Sequence, residues 1–206
     1  MESLIGALIL LTAFMFLMQA RINSMLNTFI LQSVLLCSAI LIQALKTNDT
    51  ELYISLALTT FSKVLFIPYL LRYFINKLKI KNKVADIKHQ FVLLLGAIAL
   101  VLFCHHLSLT IGNIFAIAMS VMLLGILLLI THRKAISHVI GFMSMENGIF
   151  FAALTAHNGM PMAVELGIAF DVLVAAILFG VFFLQLRRSI DSLDVDRLSL
   201  LREDVE

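Results

Sequence analysis

Residues 111–131 read IGNIFAIAMSVMLLGILLLIT, a run of 21 residues without a charged side chain. A helix needs about 20 mainly apolar residues to cross a bilayer, so this run predicts a membrane-spanning helix. Over all 206 residues, 61% are hydrophobic and 14% are charged, and the mean hydropathy is +1.03. A single soluble domain of this size has too small an interior for so much apolar surface. The sequence therefore predicts a membrane protein.

Six further apolar runs are long enough for spanning helices. The seven predicted spans are 3–19, 27–45, 52–73, 91–107, 111–131, 136–156 and 162–185. Basic residues indicate the orientation, because Lys and Arg collect in cytoplasmic segments. With the N-terminus outside, thirteen of the fifteen Lys and Arg residues fall on the cytoplasmic side. We therefore expect an all-α, polytopic transmembrane bundle of seven spans, N-out/C-in.

One long polar segment divides the chain. Residues 77–90 form a basic cytoplasmic linker between an N-terminal three-helix part, 1–76, and a four-helix part, 91–188. Residues 189–206 are acidic and amphipathic, and are predicted to be a cytoplasmic tail. The net charge of +2 gives no basic surface for nucleic acid. The sequence has no Walker loop, Rossmann glycine string or CxxC set, so we expect no catalytic centre, cofactor or metal in this chain.

Charged side chains inside the predicted spans are the strongest functional signal. A charge at the middle of a spanning helix costs about 2.5–3.5 kcal/mol on insertion scales. Lys63, Glu146 and Asp171 lie well inside their spans. Glu165 is a further proton-transfer candidate, but it is one turn into its helix and can also reach the interface. Glu146 and Asp171 are predicted to lie at comparable depth on adjacent antiparallel helices. We expect a hydrated proton-transfer line through Glu146, Asp171 and Lys63, with a purely structural, charge-neutralising role as the alternative.

Three residues near these charges add weaker signals. His138 precedes Glu146 by eight residues on roughly the same helical face, so it is a candidate for proton entry from the cytoplasm or a solvated interfacial histidine. Asn147 is expected to form hydrogen bonds between helices, which is common in membrane bundles. Pro68 removes a backbone hydrogen bond and should loosen or kink the helix that carries Lys63.

Several sequence motifs resemble the hydrogenase-4 component E family, which comprises small membrane subunits of complex I-related hydrogenases. The motifs are MENG at 145–148, VELGIAFD at 164–171, LDVDRL at 193–198 and FSKVLFIP at 61–68. Residues 111–202 are also similar to the three-helix K-type subunit of complex I and the C-type subunit of Mrp antiporters. The unit within 111–188 then corresponds to those three helices.

The resemblance implies a non-redox subunit of a bacterial cytoplasmic-membrane hydrogenase of the formate hydrogenlyase or hydrogenase-4 type. It would lie between antiporter-like membrane subunits and the membrane anchor of the redox arm, while partner subunits carry the NiFe centre and the iron–sulfur clusters. The three-helix subunits carry one acidic residue in their second helix and another in their third. Glu146 matches the first of these two acids. Their second acid falls near Ala175, one turn after Asp171.

Two other functions remain open at this point. The second possibility is a subunit of an Mrp-like cation/proton antiporter with no redox partner, and a related option is a partner in an inorganic-carbon uptake complex built on antiporter-like parts. A purely structural membrane subunit, in which the buried acids only neutralise neighbouring charges, is the third possibility.

Overall fold

A computed structural model describes most of the chain up to residue 155 and isolated positions after it. The described residues are 2–48, 50–77, 87–132, 134–155, 167, 171–174, 176–177 and 180. The chain divides into two compact units, Met1–Phe170 and Asp171–Glu206. The helices named below all belong to the first unit.

The described part of the first unit is built from helices. They are α1 (Glu2–Met18), α2 (Ile22–Thr47), α3 (Thr50–Thr59), a π-helix (Thr60–Phe66), α4 (Ile67–Lys77), α5 (Ile87–Ile111), α6 (Asn113–Thr131) and α7 (Ala135–Thr155). The π-helix joins α3 and α4 without a break. The predicted all-α class is therefore confirmed for these residues.

Three described stretches are long and apolar enough to cross a membrane, judged by length and composition. They are Ile22–Thr47, Thr50–Asn76 and Asn113–Thr131, and two shorter apolar helices cover Ser3–Met18 and Phe91–Leu107. α7 has sufficient length, but its polar residues, Glu146 and Asn147 among them, lower its hydropathy. The chain is a membrane protein, whereas seven spans and the N-out orientation stay predictions. Most of the predicted span 162–185 lies outside the described residues.

The helix boundaries differ from those predicted from apolar runs alone. α2 begins at Ile22, before the predicted start at 27, and ends at Thr47, and the next residue, Asn48, has a left-handed φ of 52°. α5 continues to Ile111, past the predicted end at 107. The break before α6 lies at Gly112, where φ is +91°. Glycine adopts that conformation without the steric cost that a side chain would add.

The π-helix is explained by the proline that follows it. Pro68 has no backbone N–H to donate to the preceding turn, and its ring crowds the carbonyl group one turn earlier. The backbone widens instead, and Ile67 N–H donates to Ser62 O, five residues back. Lys63 lies in the middle of this wide segment and is buried. The loosening predicted from Pro68 thus takes the form of a π-helix.

Two glycines bring the α6 and α7 backbones into direct contact. A Cβ atom added to Gly125 would lie 2.6 Å from Met145 N, and one added to Gly148 would lie 2.6 Å from Met122 N. Real Cβ atoms do not approach backbone atoms so closely, so any larger residue would force the helices apart. α7 also contacts α2, through Ser137 and Asn147 among other residues.

Candidate functional site

A buried ion pair joins the π-helix to α7. Lys63 Nζ lies 2.7 Å from Glu146 Oε1, and the two side chains are 2% and 3% exposed. Moving either ion alone out of water costs several kcal/mol, and their mutual attraction offsets part of that cost. The sequence places these residues 83 positions apart. The fold therefore brings together two of the charges that the sequence analysis selected by their cost.

Two amide side chains extend the pair toward α2. Lys63 Nζ also donates to Asn147 Oδ1 at 3.1 Å, and Asn147 Nδ2 donates to Gln32 Oε1 at 3.2 Å. Because an ammonium group only donates, Asn147 must turn its oxygen toward Lys63 and its nitrogen toward Gln32. Gln32 and Asn147 are both fully buried. The result is a continuous hydrogen-bonded chain from Glu146 through Lys63 and Asn147 to Gln32.

An aromatic ring and a glycine lie beside the ion pair. Lys63 Nζ is 5.8 Å from the centre of the Phe150 ring, within the range of a cation–π interaction. A Cβ atom added to Gly167 would lie 3.3 Å from Phe150 Cδ2 and 3.4 Å from Glu146 Oε1. The backbone at Gly167 therefore packs closely against the carboxylate and the ring.

Three further residues are predicted to belong to the site. Asp171 belongs to the second unit, where its side chain is buried. Glu165 lies outside the described residues. His138 is half-buried in the first turn of α7, two turns before Glu146, and its backbone N–H donates to Lys134 O. The proton-transfer roles predicted for these residues stay predictions.

Gln32 is the residue that the sequence analysis missed. It lies near the middle of α2, inside the predicted span 27–45, and forms the far end of the hydrogen-bonded chain. The available signal was an amide side chain in the middle of an apolar run, because an amide inside a membrane needs a hydrogen-bonding partner. Asn147 does form a bond between helices as predicted, and it also contacts Lys63 directly.

A second buried titratable group lies between α6 and α7. His132 is 4% exposed, and its Nδ1 lies 3.3 Å from Thr131 Oγ1. Burial lowers the pKa of the His132 imidazole below its ordinary value of 6.5, the hydrogen bond to the Leu128 backbone opposes this shift, and His138 adds to it. His132 is therefore held toward its neutral form.

The hydrogen bonds of the described site connect charged and amide side chains. Within the described ranges, no three or more His, Cys, Asp or Glu side chains lie together as ligands for a metal ion. The hydrogen bond between Lys63 and Glu146 joins one proton donor to one acceptor, and the buried amides continue it. Such an arrangement defines a helical membrane protein with a charged, hydrogen-bonded interior.

Comparison with known proteins gives partial matches. Over 91 residues the chain is 37% identical to uncharacterized protein Rv0085 of Mycobacterium tuberculosis, an alignment covering 44% of this chain and 41% of that protein. Over 87 residues it is 31% identical to hydrogenase-4 component E of Escherichia coli K12, covering 42% of this chain and 40% of that protein. Hydrogenase-4 component E of Shigella flexneri matches to the same extent.

The matched region spans about two fifths of the length of these relatives. No protein-family profile matches the chain, and no solved structure matches it. The similarity to hydrogenase-4 component E agrees with the resemblance noted in the sequence motifs.

Proposed function

We propose that the chain is a multi-pass, non-redox subunit of a complex I-related hydrogenase in the bacterial cytoplasmic membrane, and that Lys63 and Glu146 transfer protons. The observation that carries the proposal is the ion pair of 2.7 Å buried between the π-helix and α7. The similarity to hydrogenase-4 component E supports the hydrogenase complex.

The position of the pair within its helices supports a role in transfer. Lys63 lies at the middle of Thr50–Asn76, and Glu146 lies at the middle of Ala135–Thr155. Ionisable groups so far from either helix end are expensive, and in membrane proteins they commonly mark ion or proton pathways. A buried pair that only holds helices together can often be replaced by apolar packing at no net cost.

The electrostatics of the pair favour passing a proton on rather than storing it. A proton that arrives at the Glu146 carboxylate neutralises it and leaves the Lys63 ammonium group buried without its counter-ion. A buried ammonium group without its counter-ion is costly, so this state is relieved when a proton leaves again. Electron transfer in partner subunits would drive this cycle, because the chain is proposed to hold no redox centre.

Further residues and partners complete the proposal. Asp171, Glu165 and His138 are proposed as additional proton-transfer positions. The proposed partners are antiporter-like membrane subunits and the membrane anchor of the redox arm, and the NiFe centre and iron–sulfur clusters would lie in partner subunits.

The direct test is Glu146→Gln in the assembled complex in its own membrane. Proton translocation is measured in inverted vesicles together with the amount of complex recovered in mild detergent. We expect translocation to fall at least tenfold while assembly is kept, because glutamine cannot release a proton. Glu51→Gln, which changes an exposed glutamate of α3, is the matched control and should translocate normally.

A second variant distinguishes a loss of proton transfer from a loss of assembly. Glu146→Gln leaves Lys63 without its counter-ion, whereas Lys63→Gln combined with Glu146→Gln removes both charges and keeps groups that form hydrogen bonds. The double variant should assemble and fail to translocate protons. Normal translocation by either assembled variant would refute the proposed role of the pair.

A further inference from the structure

We infer that a hydrated polar path leads from one end of the helical bundle to the Lys63–Glu146 pair. We call it the α2 path and define it by Gln19, Thr28, Gln32, Ser144 and Asn147. The path binds water molecules, which form a line between α1, α2 and α7. That protons travel along this water rests on the proposed function, whereas the presence of the water does not.

The α2 path begins in the turn between α1 and α2. Gln19 directly follows α1 and is half-buried, and its Nε2 donates to Thr28 Oγ1. Thr28 lies in the second turn of α2 and is buried. Arg21, in the same turn as Gln19, is exposed. The path therefore starts where the bundle ends and its charged residues are accessible.

The middle of the path runs along two parallel helices. Ser137 Oγ lies 3.9 Å from Met25 Sδ, and Asn147 bonds to Gln32, so α2 and α7 advance in the same direction. Ser144 precedes Asn147 by one turn of α7, and it is fully buried. It therefore lies between the two contacts, on the side of Gln32 that faces the start of the path.

Unpartnered polar atoms mark where the water binds. Gln19 Oε1, Gln32 Nε2 and Ser144 Oγ are buried and have no hydrogen-bond partner among the described residues. Buried polar groups left unpaired are costly, and ordered water is their usual partner when protein groups are absent. A water molecule needs two to four such partners, and the α2 path offers them in succession.

The spacing of the groups fits a line of single water molecules. Thr28 and Gln32 are four residues apart on one face of α2, a rise of about 6 Å. Two hydrogen bonds of about 2.8 Å through one water span that distance. Beyond Gln32 the direct hydrogen bonds through Asn147 reach Lys63, so the path ends on the ion pair.

The test is the reactivity of single cysteines toward N-ethylmaleimide in membranes that contain the assembled complex. Thr28→Cys and Ser144→Cys are made separately in a chain with Cys37→Ala and Cys104→Ala. Alkylation requires the thiolate, which forms only in contact with water. Leu124→Cys, a buried and apolar position in α6, is the matched control, and Ser55→Cys probes the other side of Lys63 along α3.

We expect Thr28→Cys and Ser144→Cys to react at least tenfold faster than Leu124→Cys. Equal rates at these three positions would overturn the inference. So would rapid reaction of Ser55→Cys together with slow reaction at Thr28→Cys and Ser144→Cys, because water would then reach the pair from the opposite end.

This readout separates the two proposals. Rapid alkylation at Ser144→Cys supports the hydrated path even if Glu146→Gln translocates protons normally, in which case only the proposed function fails. Slow alkylation together with a translocation defect in Glu146→Gln leaves the proposed function standing and refutes the α2 path.

Discussion

Two faces of α7 contact their neighbours in different ways. Against α6, Gly125 and Gly148 let the backbones touch, and shape alone fixes the distance between the helices. Against the π-helix and α2, Glu146 and Asn147 form an ion pair and hydrogen bonds. We call the side of α7 against α6 the glycine face and the side against the π-helix and α2 the polar face. Gly148 belongs to the glycine face, and the adjacent residue Asn147 belongs to the polar face. The comparison teaches that close packing on one side holds α7 at the depth where its polar side chains meet their partners.

The largest effect on stability is expected at the ion pair. Lys63→Met leaves the Glu146 carboxylate buried without a counter-ion, which should lower the free energy of unfolding by about 3–5 kcal/mol. Adding Glu146→Gln should recover most of that loss, since no unpaired charge remains. Unfolding of the full chain in bicelles by a denaturing detergent measures both. If the double variant is no more stable than Lys63→Met, charge pairing is not the source of stability on this face.

The glycine face should respond to volume rather than to charge. Gly148→Ala places a methyl group against the Met122 backbone and should cost about 1–3 kcal/mol in the same unfolding assay. Gly96→Ala is the control, because a Cβ atom there meets nothing within 4 Å. It should be neutral or stabilising by up to about 1 kcal/mol, since alanine is the better helix former. Equal effects of the two substitutions would contradict the close contact.

The amide bridge should contribute less than either of these features. Asn147→Leu removes the bonds to Lys63 and Gln32 but keeps the ion pair, so we expect a loss of about 1–2 kcal/mol. Asn27→Leu is the control, because its bond to Arg72 is exposed and should be worth less than about 0.5 kcal/mol. A loss at Asn147 no greater than at Asn27 would show that the bridge is not part of the polar face.

The smallest effect concerns pH at the loop that precedes α7. Because the folded pKa of His132 is lowered by burial, the unfolded chain binds a proton at this residue more readily. Stability should therefore be full above about pH 6.5 and decline as the pH falls toward the folded pKa. His132→Gln should flatten this dependence in thermal unfolding from pH 7.5 to 5. His105→Gln, at an exposed position, should leave it unchanged.

The sequence predicted the positions of the helices better than the residues at which they begin and end. Apolar runs identify where a helix must be buried in a membrane, so the cores of α2 to α7 lie inside predicted spans. They do not identify ends, because α2 begins at Ile22 with Asn23 and Asn27 in its first turns. The π-helix has no hydropathy signature. The only sequence signal for the π-helix was Pro68. A proline indicates that the helix is disturbed, but it does not specify the form of the disturbance.

The two charges of the site and the bonding of Asn147 between helices were predictable, whereas the part played by Gln32 was not. Lys63 and Glu146 stand out because a charge in a membrane must be explained by function or pairing. An amide such as Gln32 costs less, so one in an apolar run gives a weaker signal. Its partner, Asn147, lies 115 residues away. That pairing depends on which helices are neighbours, which hydropathy does not determine.

The π-helix at Thr60–Phe66 makes the position of Lys63 depend on chain length as well as side-chain identity. A π turn holds one residue more than the α turn it replaces. Deleting a single residue from it would let the segment close into ordinary α turns, so the residues within the segment would point in new directions while the helix beyond keeps its register. An ammonium group that now points at a carboxylate would then point at another neighbour. A one-codon deletion that leaves composition and hydropathy almost intact would disconnect the lysine as effectively as replacing it.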